Sequence, residues 1–86
     1  MIRIKRKDTA QTQLAIKNLE EASQRGNSYN TENVNRALKA VFYGKCYICE
    51  NKHATSYQIE HLIPHHGNAR LKYDWNNLFW ACAHCN

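Results

Sequence analysis

The sequence predicts a small α+β domain, with two N-terminal helices followed by a strand-and-loop unit stapled by a metal. Three observations carry this. The first 44 residues hold two amphipathic stretches, each opened by a capping residue and closed by a glycine. Runs rich in Thr, Tyr, Ile and Trp lie further on, where strands are favoured. Four cysteines form two C-x-x-C knuckles, Cys46-Tyr47-Ile48-Cys49 and Cys82-Ala83-His84-Cys85, with residues 50–81 between them.

Two knuckles and no other cysteine read as one tetrahedral Zn²⁺ site. The insert is longer than the roughly 15–20 residues of the paired pattern. Extra loop length adds under about 1 kcal/mol of closure entropy. Two disulfides would suit a secreted mini-protein, but the basic N-terminus is followed by no apolar signal segment. A thioredoxin-like centre needs one such knuckle in a βαβ setting. The expected compartment is therefore a reducing cytoplasm. At 86 residues the chain makes one compact domain near the lower size limit for a self-sufficient core, where a structural metal adds stability. Within it, residues 1–44 form a basic arm and helical pair, and residues 45–86 a zinc-knuckle core.

Met1 to Lys7 alternates Ile2 and Ile4 with Arg3 and Lys5 before Arg6 and Lys7, and reads as a short strand or a basic arm. Asp8 or Thr9 caps a first helix running to about Arg25, with Leu14, Ala15, Leu19 and Ala22 as its apolar stripe and Gly26 as its stop. Residues 26–30 form a turn. Asn30 or Thr31 caps a second helix whose Val34, Ala37, Leu38, Val41 and Phe42 share a face, and Gly44 closes it. His53 reads as a surface residue, since four cysteines already complete a tetrahedron. Residues 55–59 favour a strand leading into Glu60-His61 and ending before Pro64. Neighbouring side chains on a strand face opposite ways, so this pair cooperates only where the strand runs into a turn. The His65 to Lys72 stretch is a polar, basic loop. Trp75, Leu78, Phe79 and Trp80 then return the chain to the second knuckle as core residues.

The formal net charge is +5. Four thiolates around Zn²⁺ bring it to about +3, which is compatible with a polyanion partner. No apolar run approaches the roughly 20 residues of a membrane span, and no membrane association is expected.

The ordered set C-x-x-C, Glu60-His61-Leu62-Ile63-Pro64, Asn76-Asn77-Leu78 and C-x-x-C-Asn86 resembles the zinc-containing HNH endonucleases. That resemblance spans residues 46–86 and implies a ββα-metal unit, two strands and a helix clasping one divalent cation. Carried over by motif position, His61 is the general base and Glu60 an acidic ligand of the catalytic cation. Asn77 braces the loop and helps orient the histidine, and Asn86 is the second cation ligand. Cys46, Cys49, Cys82 and Cys85 hold the structural zinc. A carboxylate and an amide oxygen suit Mg²⁺ or Mn²⁺, and an imidazole can take a proton from water near neutral pH. Arg70, Lys72, His65 and His66 are the expected nucleic-acid contacts, with the N-terminal Arg3, Lys5, Arg6 and Lys7 as further phosphate contacts. DNA is the expected substrate, rather than RNA.

Within that family the wording of Ile59-Glu60-His61, residues 73–78 and the last knuckle is similar to the retron- and Septu-type HNH nucleases. This implies anti-phage defence beside an ATPase partner. The family's metal-binding helix continues past the second knuckle, so a sequence ending at Asn86 implies a fragment or a vestigial last helix. The alternative is a non-catalytic zinc-knuckle module that binds nucleic acid or docks on a protein.

Overall fold

The computed structural model describes Arg6, residues 8–49 and residues 56–83. The expectations for Arg3, Lys5, Lys7, His53, Cys85 and Asn86 lie outside the described residues.

Helix α1 spans Ala10–Arg25. The Thr9 hydroxyl caps it by accepting the Thr12 amide at 3.1 Å, and Asp8 receives the Gln13 side chain at 2.7 Å. Gly26 ends it at φ 67°, a left-handed conformation that a Cβ would oppose, and its amide returns to the Ala22 carbonyl. The buried stripe is Thr12, Ala15, Leu19 and Ala22. Leu14, expected on that stripe, is instead 46% exposed. At about 100° per residue it lies some 120° round the helix from the stripe's centre. Thr12, read as polar, takes the inward place because its hydroxyl has a partner in Thr9 at 3.1 Å.

Helix α2, Glu32–Val41, starts from the Thr31 cap and buries Val34, Ala37 and Leu38 against α1. Asn18 of α1 accepts hydrogen bonds from Thr31 and Asn33, tying the two helices where the second begins. Phe42 follows as a fully buried C-cap. Tyr43 and Gly44 then take positive φ in succession, and the Gly44 amide closes on the Lys39 carbonyl at 2.8 Å. That reversal delivers Cys46 to the sheet.

Strands β1, Tyr57–His61, and β2, Leu78–Cys82, pair antiparallel, with Ile59 opposite Trp80 and Glu60 opposite Phe79. Tyr57, Ile59 and His61 therefore share a face with Cys82, Trp80 and Leu78, and Tyr57 stacks on Trp80. Glu60 shares the other face with Phe79, which packs on Phe42 and Tyr47. The stretch between the strands is more ordered than the loop expected from its composition. It holds a helical turn α3, Ala69–Lys72, capped by Asn68, and a 3-10 turn, Trp75–Asn77, capped by Asp74. A single buried cluster runs from Ala15 and Leu19 through Leu38 and Phe42 to Trp75, Leu78 and Ala81. No helix among the described residues is long and apolar enough to cross a membrane.

Arg6 corrects the reading of the basic arm. Its guanidinium donates to the Trp75 carbonyl at 2.7 Å and the Leu78 carbonyl at 2.6 Å. Its central carbon lies 5.0–5.4 Å from the centroids of Phe42, Trp75 and Phe79. Burial pushes its pKa down to about 10, with Asp74 pulling it back up, so it stays charged at neutral pH. A guanidinium fork so committed is a staple of the fold and not a phosphate contact. An arginine can be held this way because its flat, weakly hydrated cation matches both carbonyl pairs and aromatic faces.

Candidate metal centre

The first knuckle folds as a turn immediately after the α2 exit, and the Tyr47 amide bonds the Trp80 carbonyl at 2.8 Å. This seats the knuckle on β2, whose last residue is Cys82. The thiols of Cys46, Cys49 and Cys82 consequently lie within 4.8 Å of one another, with Cys49 and Cys82 at 3.6 Å. Four thiolates about 2.3 Å from a zinc ion at tetrahedral angles stand about 3.8 Å apart, so the spacing fits. None of the three forms a disulfide, and Cys46 and Cys82 are buried. Burial pushes the Cys46 thiol up, but the backbone amides of Cys49, Cys82 and Ile48 outweigh it and bring the pKa down to about 6. The Ile48 amide stands 3.4 Å from that sulfur. Three soft ligands converging, with Cys46 biased toward thiolate, suit a metal such as zinc.

The end of β1 carries a second arrangement. His61 is half-buried between the edge of Tyr29, 4.8 Å between ring centroids, and His65, 4.7 Å. Its Nε2 lies 2.9 Å from the Lys72 carbonyl. A carbonyl only accepts, so Nε2 carries a proton, and in the neutral ring the lone pair lies on Nδ1. The chain beyond His61 is pinned by Asn77, which is only 5% exposed. Its Oδ1 accepts the Ile63 amide at 2.8 Å, while Nδ2 donates to the carbonyls of Ile63 at 2.9 Å and Leu71 at 3.1 Å. The Asn77 carbonyl also accepts the Leu62 amide. One side chain thus ties the end of β1 to α3, the turn whose last residue holds His61.

Glu60 faces the other way, as strand alternation requires, and accepts the Tyr47 hydroxyl at 3.0 Å on Oε2. Of the expected polyanion contacts, Arg70 and His66 are exposed, and His65 is half-buried beside His61. Partial burial, then the neighbouring charges of His61, Lys72 and His66, push the His65 imidazole below its usual pKa. The Lys72 ammonium lies over the Tyr73 ring at 5.4 Å. The structure therefore brings together the three described cysteines, and His61 with His65 and Lys72, but sets Glu60 apart on the opposite face. Tyr29 and Tyr47 are parts of these sites that the sequence reading missed. Tyr29 sits in a stretch read as a plain turn. A large aromatic directly after Cys46 was the one available sign for Tyr47.

These features define a class: a small α+β domain of helices packed with a two-stranded antiparallel sheet, with a three-cysteine cluster beside that sheet. The chain is similar to the Septu protein PtuB of Bacillus mycoides (strain KBAB4), at 36% identity over 74 aligned residues, which take in 69% of this chain and 25% of that protein. It spans about a quarter of the length of that curated relative. No protein-family model matches the chain, and no solved structure matches it.

Proposed function

We propose that this chain is the nuclease unit of an anti-phage defence system of the Septu type, an HNH endonuclease that works beside an ATPase partner. The observation that carries the chemistry is the His61 geometry. Its Nε2 is engaged by the Lys72 carbonyl, which leaves Nδ1 as the base. Asn77 clamps the chain just after His61 and the turn that carries Lys72. The likeness to a Septu protein supports the defence role.

In this reading His61 Nδ1 takes a proton from the attacking water, and the attack yields a 5′-phosphate and a 3′-hydroxyl. Tyr29 and His65 restrict the ring, and the Lys72 carbonyl holds the tautomer and stabilises the imidazolium as it forms. Glu60, with Asn86, is the carboxylate and amide pair for a hard cation. Bound there, Mg²⁺ or Mn²⁺ would neutralise charge on the scissile phosphate and the leaving oxygen. Cys85 supplies the fourth thiolate of a structural zinc site with Cys46, Cys49 and Cys82. His65 and Lys72 touch His61, and with Arg70 and His66 they guide a DNA backbone to it. The test is cleavage of duplex DNA by the zinc-loaded protein with and without Mg²⁺ or Mn²⁺, with Glu60→Gln beside the wild type. Activity that needs the cation, and a variant that recovers part of it at high Mn²⁺, support the proposal. DNA binding without cation-dependent cleavage would leave a non-catalytic zinc-knuckle module in its place.

A further inference from the structure

The side chain that touches Glu60 belongs to the cysteine knuckle. Tyr47 directly follows Cys46, and three contacts fix it before its hydroxyl is considered. Its amide is bonded to the Trp80 carbonyl at 2.8 Å. Its ring lies against Phe79 at 4.9 Å and Phe42 at 6.4 Å between centroids. The residue is 5% exposed, so little room remains for the ring to swing. The phenol therefore meets the Glu60 carboxylate at one defined point, Oε2 at 3.0 Å. Among the described residues the hydrogen bonds of Glu60 stop there, so Oε1 is left for a further partner.

We infer that Tyr47 is a positioning residue that sets the affinity of Glu60 for a divalent cation. The inference rests on the proposed role of Glu60 as a cation ligand. A half-buried carboxylate at a strand position has several rotamers, and each one not suited to a cation lowers its affinity. The hydroxyl donates to one oxygen and selects an orientation that leaves the other oxygen open. The knuckle turn is what places that hydroxyl. Its Cys46 sulfur is held by the Ile48 amide.

The experiment titrates Mn²⁺ into the zinc-loaded full chain, followed by the electron paramagnetic resonance of free Mn²⁺. It compares wild type, Tyr47→Phe, Glu60→Gln and the double variant, with zinc content and thermal unfolding measured on each. Tyr47→Phe keeps the ring and its packing and removes only the hydroxyl. It is expected to retain zinc and fold and to weaken Mn²⁺ binding by about 10-fold, the low end for loss of an outer-shell partner. In the Glu60→Gln background the same change is expected to shift binding less than about 2-fold, because the hydroxyl acts through that carboxylate. Equal Mn²⁺ affinity for wild type and Tyr47→Phe, with Glu60→Gln weakened, would overturn the positioning role and leave the cation site standing. Equal weakening by Tyr47→Phe in both backgrounds would overturn it too, since the tyrosine would then be acting through packing. Mn²⁺ binding unaffected by Glu60→Gln would remove the cation site itself, and the inference with it.

Discussion

Replacing Asn77 with alanine removes one buried side chain and three hydrogen bonds, to the Ile63 amide, the Ile63 carbonyl and the Leu71 carbonyl. Its own backbone bonds to Leu62 and Asp74 do not depend on the side chain and should persist. At about 1 kcal/mol net for each bond, the loss is about 3 kcal/mol, with a range of about 2–4. The lower end applies if water reaches the freed groups, which is feasible at Ile63, 55% exposed. Domains of this size are stable by about 5–15 kcal/mol, and each kcal/mol moves their melting temperature by about 4–8 °C. Alanine should therefore lower the melting point of the zinc-loaded protein by more than about 8 °C. Asn77→Asp keeps the volume and the acceptor, loses both donors, and sets a negative charge against two carbonyls. It should be at least as destabilising as alanine. Urea unfolding followed by the fluorescence of Trp75 and Trp80 measures both variants. An aspartate variant as stable as wild type, or an alanine variant within about 0.5 kcal/mol of it, would refute the clamp.

Cys82→Ser should abolish stoichiometric zinc binding, and a strong chelator should unfold the wild type to a similar degree; elemental analysis and circular dichroism read both. Arg6→Lys should destabilise the protein by about 1–3 kcal/mol, because a single ammonium cannot serve two carbonyls and three rings in a fork's geometry. A melting temperature equal to wild type would return Arg6 to the solvent. Arg70→Ala should weaken DNA binding and reduce the slope of log K against log salt by about 0.9, the release expected for one phosphate contact. An unchanged slope would move the DNA elsewhere.

The helices were legible because their signals are local. Thr9 and Thr31 cap, Gly26 and Gly44 stop, and the apolar spacing from Val34 to Phe42 marks a face. The first strand followed from the Thr, Tyr and Ile ahead of Glu60, and the aromatic-rich return to the second knuckle, open as strand or turn in the sequence, is the strand that pairs with it antiparallel. Convergence of the cysteines was legible from spacing, since two knuckles leave few alternatives. What was not legible depends on partners far apart in the chain. Arg6 meets backbone carbonyls more than sixty positions away, and a carbonyl carries no signature in sequence. The same holds for the Lys72 carbonyl that holds His61, where attention to a basic residue fell on its ammonium. Leu14 failed because an apolar residue one position off the Ala15, Leu19 and Ala22 stripe looks like part of it. The link from Tyr47 to Glu60 joins a residue read as knuckle spacing to one read as a ligand, and only the strand pairing shows that they meet.

The nuclease account stands most directly on His61. The decisive measurement is the single-turnover rate of duplex cleavage by zinc-loaded wild type and His61→Ala at saturating Mg²⁺, with DNA affinity and zinc content measured on the same samples. Loss of proton abstraction predicts a rate lower by about 10²–10⁴, with DNA affinity and zinc unchanged. A His61→Ala protein that cleaves within about 2-fold of wild type would contradict the assignment of His61 as the base.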